Sequence, residues 1–173
     1  MNPYCRLNDF IMSQTSPPLI LCIGSARVSG DSFGPMTGQI LNEFLHCPAN
    51  VYGTMRRPIH AVNLTSRLSE IKFLYPDRKI LAVDAAIGGN PGEIRVFPGP
   101  LRPGLAGGKR LAPVGDYCVT ASICDGNVDE LYKVSKSDVL SLAARAALII
   151  NAAFGSGKCR FAENLRHAER IPI

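Results

Sequence analysis

Along the chain, runs of uninterrupted apolar residues alternate with stretches whose apolar positions recur at helical spacing. Leu19-Ile20-Leu21-Cys22-Ile23 closes on Gly24-Ser25, and an apolar run of that length bounded by turn residues predicts a strand buried on both faces. Lys79 to Ala86, apolar after Lys79 except for Asp84, repeats the pattern and runs straight into Gly88-Gly89-Asn90-Pro91-Gly92; Tyr117 to Cys124 is a third such run. Between them lie periodic stretches. Met36, Ile40, Leu41, Phe44 and Leu45 mark one amphipathic helix, begun by Pro35 and ended by Cys47-Pro48. Thr65 to Tyr75 is a second, with Leu68, Ile71 and Leu74 on one face, a cap at Thr65 or Ser66 and a stop at Pro76. Ser137 to Phe154 is a long Ala-rich helix capped by Ser137 and ended by Gly155. Asn50 to Thr54 is a short strand candidate. Glu93 to Phe97 alternates polar and apolar as an edge strand does, and Pro98 to Pro113 is a Gly/Pro loop.

Doubly buried strands alternating with helices predict an α/β protein, a three-layer sandwich with a mostly parallel sheet. No internal repeat and no second domain is visible. The expected organisation is an N-terminal arm over residues 1–17, a single α/β domain over 18–155, and a basic tail over 156–173 that carries Lys158, Arg160, Arg166 and Arg170.

Composition narrows the class only a little. The chain has 173 residues, 46% of them apolar, with 16 Gly and 13 Pro gathered mainly into loops, which excludes collagen-like and disordered chains. Nineteen Lys+Arg against 14 Asp+Glu give a net charge of +5. The basic residues are scattered without interleaved aromatics, so a basic surface is expected rather than a nucleic-acid interface. Six cysteines without a CxxC pair sit in apolar surroundings and read as reduced core residues of a cytosolic protein. Residues 1–18 lack the basic and apolar regions of a secretory signal. Val139 to Phe154 is short for a bilayer span and holds Arg145 and Asn151, so no membrane partner is expected.

In open parallel sheets, ligands bind beyond the carboxyl ends of the strands, near the point where strand order reverses. Two acids occupy that rim. Asp84 is the one charge inside its apolar strand, and burying it costs several kcal/mol, of order 1–7, unless it is paired, hydrogen-bonded, metal-bound or protonated. Asp31 lies in Ser29-Gly30-Asp31-Ser32-Phe33-Gly34-Pro35, after the first strand. Each also has a plain structural reading, as a carboxylate accepting backbone N–H bonds at a turn or a helix start. Neighbouring parallel strands lie about 4.8 Å apart, so the two carboxyls can share a proton or bracket a water. Lys109, beside Gly108 in the Gly/Pro loop, is a candidate for holding substrate, or simply part of a solvated turn.

Other chemistries find less support. The spacing of Gly24, Gly30 and Gly34 fits neither GxGxxG nor a P-loop, and GxSxG is absent. His46, His60 and His167 read as surface residues, which leaves no His/Cys zinc site. A carboxylate-rich metal site at Asp31 and Asp84 stays open, while no cofactor is implied.

The quoted segments Asp31 to Pro35, Val51-Tyr52-Gly53-Thr54, Pro58 to Leu64, Ala82-Val83-Asp84-Ala85, Pro103 to Lys109 and Val114-Gly115-Asp116 together resemble the YyaC family of sporulation proteins, over roughly residues 19–154. That family is similar to the germination protease of bacterial spores and, more distantly, to hydrogenase-maturation endopeptidases. The resemblance implies a phosphorylase/hydrolase-like fold and a peptidase ancestry. In the germination protease two aspartates are thought to act as an atypical acid pair on small acid-soluble spore proteins, and the matching positions here are Asp31 and Asp84. In the hydrogenase-maturation enzymes the corresponding acids help hold a nickel ion in the substrate. The chain is shorter than the germination protease, and no prosegment is expected in residues 1–17.

The expectation is therefore a cytoplasmic spore endopeptidase active in sporulation or germination, with Asp31 and Asp84 as acid and base. Its partner is a peptide or protein, with small spore proteins as the implied substrate; self-association into a homo-oligomer is left open. The alternative is a peptidase-like binding or regulatory protein that does not cleave, and metal-dependent hydrolysis at the same carboxylates is a third reading.

Overall fold

A computed structural model describes residues 3–104 and 111–155. In chain order these form α1 (Pro3–Met12), β1 (Leu19–Cys22), α2 (Phe33–Gln39), β2 (Val51–Tyr52), α3 (Leu64–Leu74), β3 (Ile80–Ile87), β4 (Ile94–Pro98), β5 (Tyr117–Cys124), the single turn α4 (Glu130–Lys133) and α5 (Lys136–Phe154). The strands make one sheet in the order β2-β1-β3-β5-β4. All neighbours are parallel except the edge strand β4, which runs antiparallel to β5. From β1 the chain moves outward to β2 and then returns to β3 on the other side, so the reversal of strand order lies between β1 and β3.

Side-chain alternation along the strands fills two cores. Ile20, Cys22, Leu81, Val83, Val119 and Ala121 face a layer built from α1, α2 and α5. Leu19, Leu21, Ile80, Ala82 and Cys118 face α3 and the chain around Leu101 and Val114. This is the expected three-layer α/β sandwich. Asp84 shares the parity of Ile80 and Ala82, which turns it towards the second layer. By length and composition α5 could cross a membrane, since the helix begins at Lys136 rather than Val139. In the fold its stripe Val139, Ala143, Ala146, Ala147, Ile150 and Ala153 is fully buried instead.

Four local expectations need correction. The N-terminal segment is not an arm over its whole length, because α1 inserts Leu7 and Ile11 into the core. Phe10 also stacks on Tyr117 with ring centroids 4.6 Å apart, and Asn8 Nδ2 donates to the Ala153 carbonyl at 2.9 Å. The first predicted helix does not start at Pro35: a 3-10 turn over Gly30–Ser32 leads directly into α2. A π turn over Ile40–Phe44 then continues it, closed by Leu45 N–H to the Ile40 carbonyl at 3.0 Å. The wider turn rotates the stripe and leaves Phe44 71% exposed. On α3 the inward stripe is Leu64, Leu68, Ile71 and Tyr75, leaving Leu74 outside, and Asn63 precedes the helix in place of a Thr65 or Ser66 cap. Ser135, not Ser137, caps α5, accepting from Ser137 N–H at 3.2 Å. Of the cysteines, Cys5 on α1 is exposed, whereas Cys22, Cys118 and Cys124 are buried and free. The basic tail lies outside the described residues.

Candidate active site

The glycines after β1 determine where Asp31 falls. Gly24 has φ +142°, and a Cβ there would overlap the Asp31 carbonyl oxygen, so the loop closes back on itself only because the side chain is missing. Gly34, within α2, lies so close under Ile23 that a Cβ would overlap its carbonyl oxygen. The turn between them is pinned from outside as well, by Ser29 Oγ donating to the Val134 carbonyl at 2.7 Å. With the backbone held, Asp31 Oδ2 accepts the Ser25 N–H at 2.6 Å.

Asp84 comes from β3, across the strand reversal. It is 9% exposed, its Oδ1 accepts the N–H of Ala85 at 2.9 Å, and Thr120 of β5 stands beside it in register. The two acids line one cleft of about 520 Å³, together with Gly24, Val28, Ala85, Ala86, Ile87, Leu101, Arg102, Thr120, Leu131 and Tyr132 among others. Where β3 borders this space the register shifts, Ala86 facing Ser122 and Ile87 facing Cys124, so that Ile123 of β5 is the extra residue.

The acids differ in environment. Burial holds Asp84 well above the ordinary carboxylate value and the charge of Asp31 pushes it further up, against a smaller opposing pull from the Ala85 N–H. Burial raises Asp31 too, but the Ser25 N–H and then the charge of His60 draw it back. Both shifts favour the neutral carboxyl, more strongly at Asp84 than at Asp31. Of the two, the better-solvated Asp31 is the readier to ionise.

His60, expected at the surface, is half-buried and lines a hollow together with Asp31. The Ile23–Ile59 bridge and the Gly24 N–H to Ile59 carbonyl bond of 2.8 Å fasten its loop to the end of β1. Asn63 Oδ1 accepts the His60 N–H at 2.8 Å, and His60 Nδ1 accepts the Val62 N–H at 3.3 Å. A second hollow of about 470 Å³, lined by Ser25, Arg27, Asp31, Pro58, His60 and Val62 among others, adjoins the first through Asp31. No local pattern marks His60, because a tertiary contact brings its loop to Asp31. Thr120 and Arg102 were also not foreseen. Arg102 belongs to the same Gly/Pro loop as Lys109, whereas Lys109 and Gly108 themselves lie outside the described residues. Among the described residues no three His, Cys, Asp or Glu side chains cluster as metal ligands do. Asp116 is structural: it pairs with Lys79 at 2.9 Å and accepts the Ile80 N–H at 2.9 Å, joining the starts of β3 and β5.

The parallel sheet with its cleft at the strand reversal places the chain among the open α/β proteins that bind ligands beyond their strand ends. The crystal structure of a [NiFe] hydrogenase maturation protease, HycI, from Thermococcus kodakarensis KOD1 matches it with a TM-score of 0.62 over 86% of this chain and 98% of that one. At 20% identity this is a likeness of fold. Within that class, the chain belongs to the family described as "Protein of unknown function (DUF1256)", whose model matches residues 2–152. It is 38% identical over 109 residues to the "Uncharacterized protein YyaC" of Bacillus subtilis (strain 168), an overlap of 62% of this chain and 53% of that protein. The chain thus spans about half the length of the curated relative it matches.

Proposed function

We propose that the chain is an endopeptidase whose chemistry is carried by Asp31 and Asp84. The supporting observation is that two acids, 53 positions apart by their numbers, line one cleft at the strand reversal in unequal environments. Ionised Asp31 takes a proton from a water as its oxygen adds to the peptide carbonyl carbon. Protonated Asp84 donates to the carbonyl oxygen; as the C–N bond breaks, Asp31 passes its proton to the departing amine and a hydroxyl of the tetrahedral intermediate returns one to Asp84, restoring the starting pair. The resemblance to sporulation proteins supports a cytoplasmic role in the sporulating or germinating cell, with small spore proteins as substrates.

The test is proteolysis of a spore-protein extract by the purified chain beside Asp31→Asn and Asp84→Asn. Each variant should retain the wild-type circular dichroism spectrum and lose cleavage by at least a hundredfold, the low end of what positioned acid–base groups contribute. Undiminished cleavage by either variant removes the mechanism. Stable capture of uncut chains by the wild type would instead make the protein a binder with a peptidase-like fold, and cleavage abolished by a chelator would move the chemistry to a metal held by the same acids.

A further inference from the structure

β1 and β3 end at different heights. Pairing between them runs from Leu19 opposite Ile80 to Cys22 opposite Val83, and Ile23 N–H makes the last bond, to the Val83 carbonyl at 2.8 Å. Beyond it the chain turns away at Gly24 towards Ile59. β3 nevertheless continues to Ile87, held by β5 on its other side. The side of β3 that β1 leaves uncovered, from Asp84 to Ile87, spans about 10 Å at about 3.3 Å per residue. Backbone groups alternate in direction along a strand, so if Val83 points its carbonyl at β1, Ala85 points its N–H and carbonyl at the vacated side. The Ala85 N–H is satisfied there by Asp84 Oδ1 at 2.9 Å, which leaves the carbonyl as an acceptor.

This stretch faces a hollow, since Ala85, Ala86 and Ile87 line the cleft along with Gly24, Val28 and Asp31 of the departing loop. It differs from the outer edge of the sheet. There β4 carries Arg95 paired with Glu93 and ends in Pro98, features that discourage pairing with another chain. Arg102 also lines the cleft, is exposed, and belongs to none of the ion pairs among the described residues. An unpaired strand edge inside a cleft matches a polypeptide backbone better than a compact small molecule, and a lone guanidinium matches a carboxylate.

We propose that the cleft binds its polypeptide partner in extended form, as a short added strand along the free edge of β3 at Ala85–Ile87, with an acidic side chain of the bound segment paired to Arg102. One amide N–H of the segment donates to the Ala85 carbonyl. Its neighbouring carbonyl then passes Asp84 and Asp31. The inference deepens the endopeptidase reading and rests on it only for what happens to the bound chain afterwards.

The experiment uses a synthetic random octapeptide library on the immobilised full chain, with Asp84→Asn to prevent cleavage and Asp31→Asn as a second variant should the first not fold. Captured octapeptides are identified by mass spectrometry, resynthesised with a fluorophore, and rescanned with a single N-methyl group at each amide. The expected result is enrichment of Asp or Glu at one position. Methylation of one amide, or of amides two apart, should weaken binding at least tenfold, while methylation of the amides between changes it less than twofold. Arg102→Glu should exchange the acidic preference for a basic one. An empty capture, a methylation scan without alternation, or an unchanged preference in Arg102→Glu overturns the proposal. Wild-type incubation with the same octapeptides separates the two readings. Binding without cleavage sinks the endopeptidase and spares the strand site, whereas cleavage of peptides that show no alternation does the reverse.

Discussion

Replacing Leu7 with alanine tests whether the N-terminal helix is a working part of the fold. Leu7 is fully buried, in the core that α1 shares with α5 and the sheet. Truncation to Ala removes three carbons, worth roughly 2.4 kcal/mol at about 0.8 kcal/mol each. It also leaves a cavity, and buried Leu→Ala changes cost about 2–5 kcal/mol in total. A helix near the chain terminus can settle into part of that space, so the expected loss is about 2.5–3.5 kcal/mol. For a domain of this size that corresponds to roughly 5–14 °C in Tm. Urea denaturation followed by circular dichroism measures it, with Met12→Ala as the control: Met12 lies on the same helix, is 63% exposed, and should change stability by less than about 0.5 kcal/mol. The reasoning is refuted if Leu7→Ala costs less than about 1 kcal/mol, or if both substitutions cost the same. Either result would mean that residues 3–12 behave as the undocked arm their polar composition first implied.

Three further outcomes can be checked. Because burial raises the carboxyl of Asp84, its contribution to stability is fully present below the unfolded carboxylate value of 3.8 and is lost as pH rises through the higher folded value. Wild type should therefore lose stability relative to Asp84→Asn across that window, and parallel curves in denaturant titrations at a series of pH values would contradict the buried acid. Asp31 is drawn down in part by His60, so His60→Gln should move the acidic limb of the cleavage profile to higher pH, and an unmoved limb would separate the two residues. Gly34→Ala would ordinarily help a helix by about 0.5–1 kcal/mol, but overlap with the Ile23 carbonyl oxygen should reverse the sign to a loss of more than about 1 kcal/mol. Gly126→Ala, where an added Cβ meets nothing and φ is not positive, serves as the neutral comparison in the same thermal melts.

Much of this architecture was readable from local pattern. The three apolar runs are β1, β3 and β5, the alternating run is the edge strand β4, and the long Ala-rich stretch is α5, with boundaries within a residue or two. The errors came where apolar spacing was sparse or interrupted. Leu7 and Ile11 are four apart with Tyr4 and Phe10 alongside, a helical signal diluted by Arg6, Asn8 and Asp9. The π turn at Ile40–Phe44 inserts a residue into the helical period, so a constant 3.6-residue reading misplaces Phe44. At the site, Asp84 stood out because a charge in a doubly buried strand violates the pattern around it. His60, Thr120 and Arg102 violate nothing locally and carry no such mark.

Apolar periodicity arises between residues a few positions apart, so a linear text records the strands, the helices and the anomalous acid. Strand order, the docking of α1, and the meeting of Asp31 with Asp84 and His60 depend on contacts between segments tens of residues apart. Those contacts depend on close backbone approaches such as Gly34 beneath Ile23 and on which strand ends first, and both become definite when the layers pack.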